Sequence, residues 1–206
     1  IQEKMDDTGF VRASYMQLGA ESGRMSCIKP NNQQIPRDKQ FRSCVEAPEG
    51  WLLVDADFGQ MELRLAAAVA KDERMIAAFQ AGEDPHTVTA EAIGCDRQTA
   101  KSANFGLLYG MSAFGLSNQL GVSRAEADIF LKNYFDRYSA VKKFMSDIVE
   151  SSKDIKYVET LYGRKIHVPN ITASNYMVRQ AAERAAINGP LQGSAADIIK
   201  IAMKKI

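Results

Sequence analysis

Cysteine, histidine and tryptophan are scarce in this sequence, with three, two and one residues among 206. Cys27, Cys44 and Cys95 are odd in number and lack C-x-x-C spacing, which argues against a disulfide framework or a zinc knuckle and reads as reduced thiols. His86 and His167 alone exclude a multi-histidine metal site and give little support to a Ser-His-Asp triad. The chain has neither a GxxxxGK loop followed by Ser or Thr nor a GxGxxG turn, which argues against P-loop ATPases and Rossmann dehydrogenases. Its longest apolar runs, Trp51 to Val54 and Leu65 to Ala70, are far too short to span a membrane, and the first residues show no signal-peptide pattern. A cytosolic protein with no membrane partner is the expectation. Charge of one sign is also missing: the formal net charge is +1, so contact with nucleic acid has to come from local clusters of basic residues.

What is present suits a globular chain, since 46% hydrophobic residues over this length can build one sizeable core or two small lobes. The stretch to about residue 50 is rich in Gly, Pro, Asn, Gln and Ser and reads as extended segments and loops. Trp51-Leu52-Leu53-Val54-Asp55-Ala56-Asp57 then reads as a short buried strand that delivers Asp55 and Asp57, on one face, at its mouth. Gly59 ends it, and Met61, Leu65 and Val69 recur at helical spacing. From about residue 72 to 153 the pattern is almost all helix. Gly82 and Gly94 close helices, Asp84-Pro85 opens one, Asp96 is an N-cap, and Ser123 with Glu126 forms a capping box ahead of the apolar stripe Phe130, Leu131, Tyr134 and Phe135. Tyr157 to Leu161 and Lys165 to Val168 predict a small hairpin around Tyr162-Gly163, and a last helix starts near Ser174 and is expected to bend at Gly189-Pro190.

Chemistry concentrates on the helix after Asp96. Arg97, Lys101, Phe105 and Tyr109 are spaced by four, so each advances about 40° and together they form one slowly winding stripe. A helix with solvated cations and core aromatics would look the same. Gly106 inside the helix, at a cost of roughly 1 kcal/mol relative to Ala, suggests that something approaches the backbone closely. Ser102 and Asn104 suggest a helix only partly buried. Cations at one end and a flat ring at the other suit a nucleoside triphosphate. Asp57 is a candidate half-site for Mg²⁺, which is held by one or two carboxylates together with substrate phosphates. A helix cap or a solvated loop acid would read alike.

Asp57-Phe58-Gly59-Gln60-Met61-Glu62-Leu63-Arg64 resembles the first palm motif of family A DNA polymerases, Asp-Tyr-Ser-Gln-Ile-Glu-Leu-Arg, in five of eight residues. Arg97-x-x-x-Lys101-x-x-x-Phe105-x-x-x-Tyr109-Gly110 is similar to that family's fingers motif throughout. Ser22 to Ser26 and Pro30 to Pro36 resemble its Thr-Gly-Arg-Leu-Ser and Pro-Asn-Leu-Gln-Asn-Ile-Pro segments, and Glu183 to Asn188 with Gln192-Gly193 its late palm helix. Phe58, Gly59, Gln34 and Cys27 depart from the usual residues.

The resemblance implies template-directed DNA synthesis, with dNTP and primer–template DNA as partners and two Mg²⁺ ions as cofactors. It implies that Asp57, with the Phe58 carbonyl, holds metal; that Arg97, Lys101 and His86 hold the triphosphate; and that Gln60 also lies at the nucleotide. Phe105 would pack on the sugar, Tyr109 would sit beside the nascent base pair, and Glu62 with Tyr109 would exclude ribonucleotides. Arg24, Asn31 and Gln33 would contact primer and template, and Arg184, Asn188 and Gln192 the minor groove. The implied fold is α+β: a right-hand palm with an antiparallel sheet at residues 1–65 and 177–206, and all-helical fingers at 66–176. The sequence holds no His-Asp-Glu tripeptide, so the expectation is an incomplete palm, no full thumb, and a further partner in the rest of a polymerase chain. A single-subunit RNA polymerase shares the Lys and Tyr-Gly pattern but lacks a bulky carboxylate at the position of Glu62. A non-catalytic nucleotide- or DNA-binding fragment and a purely structural helical protein are the other readings. The last leaves the common register of Asp57, Glu62, Arg97, Lys101 and Tyr109 without a reason.

Overall fold

A computed structural model describes residues 5–36 and 38–206. The chain divides into two compact units at Gly59 and Gln60. In the first, strands β1 (Ser14–Met16) and β2 (Ser26–Ile28) pair antiparallel, with Tyr15 opposite Cys27. Gly23, at φ +82°, helps turn the connection between them. Asn31 caps a short 3-10 turn at Asn32–Gln34 by accepting from the Gln33 N–H, and helix α1 (Lys39–Arg42) is a single turn capped by Asp38. The buried Cys27 thiol donates to the Pro30 carbonyl and accepts from the Asn32 N–H, so it ties this loop together from within.

The strand expected over Trp51 to Asp57 does not form. These residues have no regular structure, and Leu52 and Val54 are 89% and 88% exposed. A strand is held by its neighbours' hydrogen bonds and by a layer beneath it. Both sheets among the described residues are two-stranded, β1 with β2 and β3 with β4, and neither takes this run as a third strand. Asp55 and Asp57 therefore lie on an exposed, irregular segment rather than at the mouth of a buried strand.

The second unit is helical: α2 (Met61–Ala70), α3 (Glu73–Gln80), α4 (Pro85–Ile93), α5 (Arg97–Leu108), α6 (Ala113–Leu120), α7 (Arg124–Arg137), α8 (Ser139–Ile155) and α9 (Tyr176–Lys205). Local signals set many of the boundaries. Asp72, Asp84, Asp96, Ser112 and Ser123 each cap a helix through the side chain, Ser123 with Glu126 as a complete capping box, while Gly94 and Gly121 close helices in the left-handed region. Helix α2 packs against α3, α5, α8 and α9, burying Leu63, Leu65, Ala66 and Ala67 beside Leu107, Leu108, Tyr134, Val141 and Leu191.

The hairpin β3 (Tyr157–Glu159) and β4 (Lys165–His167) lies on α9, where Val158 and Ile166 join Ile171, Ala182 and Ala186 in a second core. Its fit depends on two glycines. A Cβ at Gly189 would come within 2.8 Å of Val158, and one at Gly193 within 2.6 Å of Thr160 and 2.8 Å of Ile166. Arg164 fastens the hairpin to α9, with Nε donating to Asp197 at 2.9 Å and Nη2 to the Gly193 carbonyl at 3.1 Å. Helix α9 starts at Tyr176, after the Asn175 cap, and continues through Pro190 to Lys205. Pro190 and its neighbours Ile187, Gly189 and Leu191 are buried, and this packing carries the helix across the missing donor.

Candidate active site

Helix α5 turns Ala100, Ala103, Asn104, Leu107 and Leu108 into the core. The adjoining side carries the expected stripe, with Arg97 exposed and Lys101, Phe105 and Tyr109 half-buried. The close neighbour of Gly106 is Met111, whose terminal methyl would lie 2.7 Å from a Cβ at that position, so the glycine serves packing within the chain. The helix is only partly buried, as expected, with Ser102 half-buried, while Asn104 itself is fully buried at 1% exposure.

Asp84 gathers residues around the start of the stripe. Its Oδ2 accepts from Arg97 Nε at 2.7 Å and from the Thr87 hydroxyl at 2.8 Å, and its Oδ1 accepts from Gln60 Nε2 at 3.1 Å. Burial pushes this carboxyl up, but the hydrogen bonds from Arg97 and Thr87, the Arg97 charge and the His86 backbone outweigh it and hold the group well below the usual carboxylate range. Two residues further on, His86 is buried at 3% exposure, with its ring centroid 5.7 Å from that of Phe105. Its pKa is lowered, first by burial and then by the Arg97 and Lys101 charges, with Asp84 opposing. The imidazole is therefore neutral near pH 7.

At the far end of the stripe, the Tyr109 hydroxyl donates to Glu62 on α2 in a very short contact. Gly110 follows at φ +72°, and a Cβ there would meet Ile187 and Arg184 of α9 at 3.3 and 3.4 Å. Arg184 is exposed, Asn188 and Gln192 are half-buried, and Asn188 Oδ1 is buried with no hydrogen-bond partner among the described residues. In the first unit, Asp57 and Phe58 are exposed, as are Arg24, Asn31 and Gln33. Gln33 Nε2 donates to the Met25 carbonyl. Among the described residues no group of three or more His, Cys, Asp or Glu side chains could hold a metal ion.

The sequence profile of DNA polymerase family A matches residues 1–206. The chain belongs to that family. It is 44% identical over 219 aligned residues to DNA polymerase I of Streptococcus pneumoniae serotype 4, with 98% of this chain and 25% of the relative covered. DNA polymerase I of Pseudomonas aeruginosa is 43% identical, with 95% and 23% covered, and the thermostable DNA polymerase I of Thermus filiformis 41%, with 97% and 26% covered. The chain thus spans about a quarter of the length of these relatives. A solved structure of the POL domain of Pol1 from M. smegmatis, in complex with DNA primer–template and dNTP, superposes with a TM-score of 0.88 at 36% identity, covering 98% of this chain and 38% of that one.

Within this family A chain, the second unit brings together Gln60, Glu62, His86, Arg97, Lys101, Phe105 and Tyr109 through one acid and two helix faces. The sequence treated Asp84 only as a cap. Its pairing with Arg97 crosses 13 residues and its contact with Gln60 crosses 24, so no local signal announces either. Asp84→Ala removes both the cap and these anchors, and its urea midpoint is expected to report a loss of about 1–2 kcal/mol. Asp84→Asn keeps the cap and is expected to lose much less near neutral pH. Because the folded pKa of Asp84 is lowered, its electrostatic contribution is intact above pH about 4 and disappears as acid carries the pH down through the folded value. Asp84→Asn should therefore flatten the acid limb of the stability curve.

Proposed function

We propose that the chain carries the nucleotide-binding side, and one metal-binding carboxylate, of a template-directed DNA polymerase that joins dNTPs to a primer 3′-hydroxyl. The observation that carries this reading is the graded stripe of α5, two cations followed by two aromatics, which ends with Tyr109 on the Glu62 carboxylate. Arg97 and Lys101 neutralise the triphosphate, and buried neutral His86 adds an N–H donor without adding a charge. Phe105 packs on the sugar and Tyr109 sits beside the nascent pair. Arg24, Asn31 and Gln33, with Arg184, Asn188 and Gln192, hold primer–template. The last three repeat every four residues on α9, and minor-groove acceptors common to all base pairs suit an enzyme that copies any sequence. Residues 1–65 and 177–206 form palm and 66–176 form fingers in this reading.

The donor set fits Mg²⁺ as half a site, since Asp57 offers an exposed carboxylate and the Phe58 carbonyl adjoins it. When bound, paired Mg²⁺ ions supply activation of the 3′-hydroxyl and stabilisation of the leaving pyrophosphate. No helix among the described residues is long and apolar enough to cross a membrane.

The test is Mg²⁺-dependent primer extension by the chain, alone and co-expressed with a segment bearing the His-Asp-Glu motif. Templated incorporation is expected when the segment is present. Its absence in both arms refutes the reading, and robust extension by the chain alone would place the second carboxylate among these 206 residues. In the active arm, Glu62→Ala is expected to raise the ratio of rNTP to dNTP incorporation about tenfold or more, because the site loses the group that crowds a 2′-hydroxyl. An unchanged ratio in single-nucleotide kinetics would remove Glu62 from sugar selection.

A further inference from the structure

Behind the stripe lies a buried polar network that meets the proposed nucleotide contacts only at His86. Thr89, Asn104, His86 and Tyr138 are exposed by 1, 1, 3 and 3%. They come from three places, Thr89 and His86 on α4, Asn104 on α5, and Tyr138 at the end of α7. Asn104 Nδ2 lies 3.4 Å from the Pro85 carbonyl oxygen, which can only accept, so this end of the amide is the nitrogen. The same nitrogen lies 3.1 Å from His86 Nδ1. It also lies 3.2 Å from Thr89 Oγ1, a third neighbour for its two hydrogens; because the Thr89 hydroxyl can donate to the amide oxygen instead, whereas the Pro85 oxygen can only accept, the arrangement that uses every donor gives one hydrogen to Pro85 and one to the ring. Asn104 Oδ1 accepts from the Thr89 hydroxyl at 3.2 Å, and Thr89 Oγ1 lies 3.1 Å from Tyr138 Oη, which completes the chain as donor. Every link then runs in one direction, from Tyr138 through Thr89 and Asn104 to His86.

A nitrogen that accepts from an amide cannot carry a proton, so a neutral ring in this setting holds its proton on Nε2. Among the described residues nothing is hydrogen-bonded to Nε2. The ring stands beside Phe105, within reach of the Arg97 and Lys101 charges. We propose that Asn104 is a positioning residue that locks His86 in the Nε2–H tautomer and so presents a fixed donor to a phosphate oxygen of the nucleotide, with Thr89 and Tyr138 holding Asn104 in turn. The inference rests on the reading of His86 as a triphosphate ligand. It assigns a role to three buried polar side chains that a purely apolar helix junction would not need. The logic parallels the orienting partners of histidine at metal and catalytic sites, where the bond made by one ring nitrogen decides what the other can do.

The tautomer can be read without any assay of activity. In ¹⁵N-labelled chain carrying His167→Gln, His86 is the sole histidine, and two-bond ¹H–¹⁵N spectra at pH 8 distinguish the ring forms. The expected pattern is Nε2–H with a bare Nδ1. Asn104→Leu should give a mixture of tautomers. Asn104→Asp, whose carboxylate can only accept, should move the proton to Nδ1 and raise the titration midpoint of the ring. Adding dCTP should perturb the Nε2–H signal in the Asn104 protein, and Asn104→Leu should weaken dCTP binding about tenfold, the scale of one charge-assisted hydrogen bond. In a His86→Gln background the same Leu substitution should add less than about twofold.

An Nδ1–H ring in the protein that keeps Asn104, which needs no substitution within the network to detect, overturns the proposal. So does an Nε2–H ring that neither substitution alters. An Nε2–H ring that responds to both substitutions but ignores dCTP leaves the network standing as structure, and overturns the presentation of the donor together with the triphosphate reading beneath it.

Discussion

Lys101→Ala is expected to lower kcat/KM for single-nucleotide incorporation by roughly 10²–10³-fold, which is about 3–4 kcal/mol of lost transition-state stabilisation, while primer–template affinity changes by less than about threefold. Lys101 sits one turn beyond Arg97 and one turn before Phe105, half-buried, with its charge felt at His86. On the proposed reading a cation in that place would meet charge that grows on the leaving phosphates, and a half-buried setting would strengthen the attraction beyond its worth in water. The duplex contacts are assigned to other elements, Arg24 with the Asn31 and Gln33 loop, and the Arg184, Asn188 and Gln192 face of α9. The substitution should also leave folding nearly unchanged, because Ala is the strongest helix former and the core side of α5 is untouched. Lys101→Arg should recover part of the loss. Incorporation kinetics and DNA anisotropy are to be measured on the same preparations of the chain with the His-Asp-Glu segment. Equal losses in both would move Lys101 from the nucleotide to the duplex.

Asp57→Asn is expected to have the larger effect, a fall of about a thousandfold or more in Mg²⁺-dependent extension. The amide keeps the shape of the side chain and removes its negative charge, and hard divalent cations discriminate strongly against that change. Because Asp57 is exposed and lies outside regular structure, thermal unfolding should be indistinguishable from that of the unaltered chain. Asp55→Asn is the internal comparison. The two acids share one irregular, exposed segment, but only Asp57 opens the Asp57 to Arg64 stretch that resembles the family's first palm motif. A comparable collapse on Asp55→Asn, with Asp57→Asn still active, would reassign the ligand.

The helical part of the fold was legible where its determinants are local. Asp84, Asp96, Ser123 and Glu126 satisfy helix-end donors a few residues away, so their roles can be read from spacing alone. The Arg97 to Tyr109 stripe was legible for the same reason. The Trp51 to Asp57 run was misread because its apolar pattern states only that the residues could be buried in a sheet, and a strand also needs an edge to pair with. The partners of Asn104 were not legible, because Pro85, His86 and Thr89, which supply them, lie between 15 and 19 residues away. Pro190 does not end the helix. A proline removes one backbone bond, and the buried faces of Ala186, Ile187, Leu191 and Ala195 around it hold the helix together.

The seat of the β3–β4 hairpin on α9 bears on how this chain can be recombined with its relatives. Gly189 and Gly193 are the matrix into which Val158, Thr160 and Ile166 are pressed, and Arg164 latches the inlay to Asp197. A hybrid gene whose crossover falls between residues 168 and 188 takes the inlay from one parent and its matrix from the other, so any methyl group gained at either glycine lands on a side chain at under 3 Å. Crossovers before residue 156 or after residue 197 inherit the two pieces together, and these are the seams along which chimaeras of this chain should remain folded.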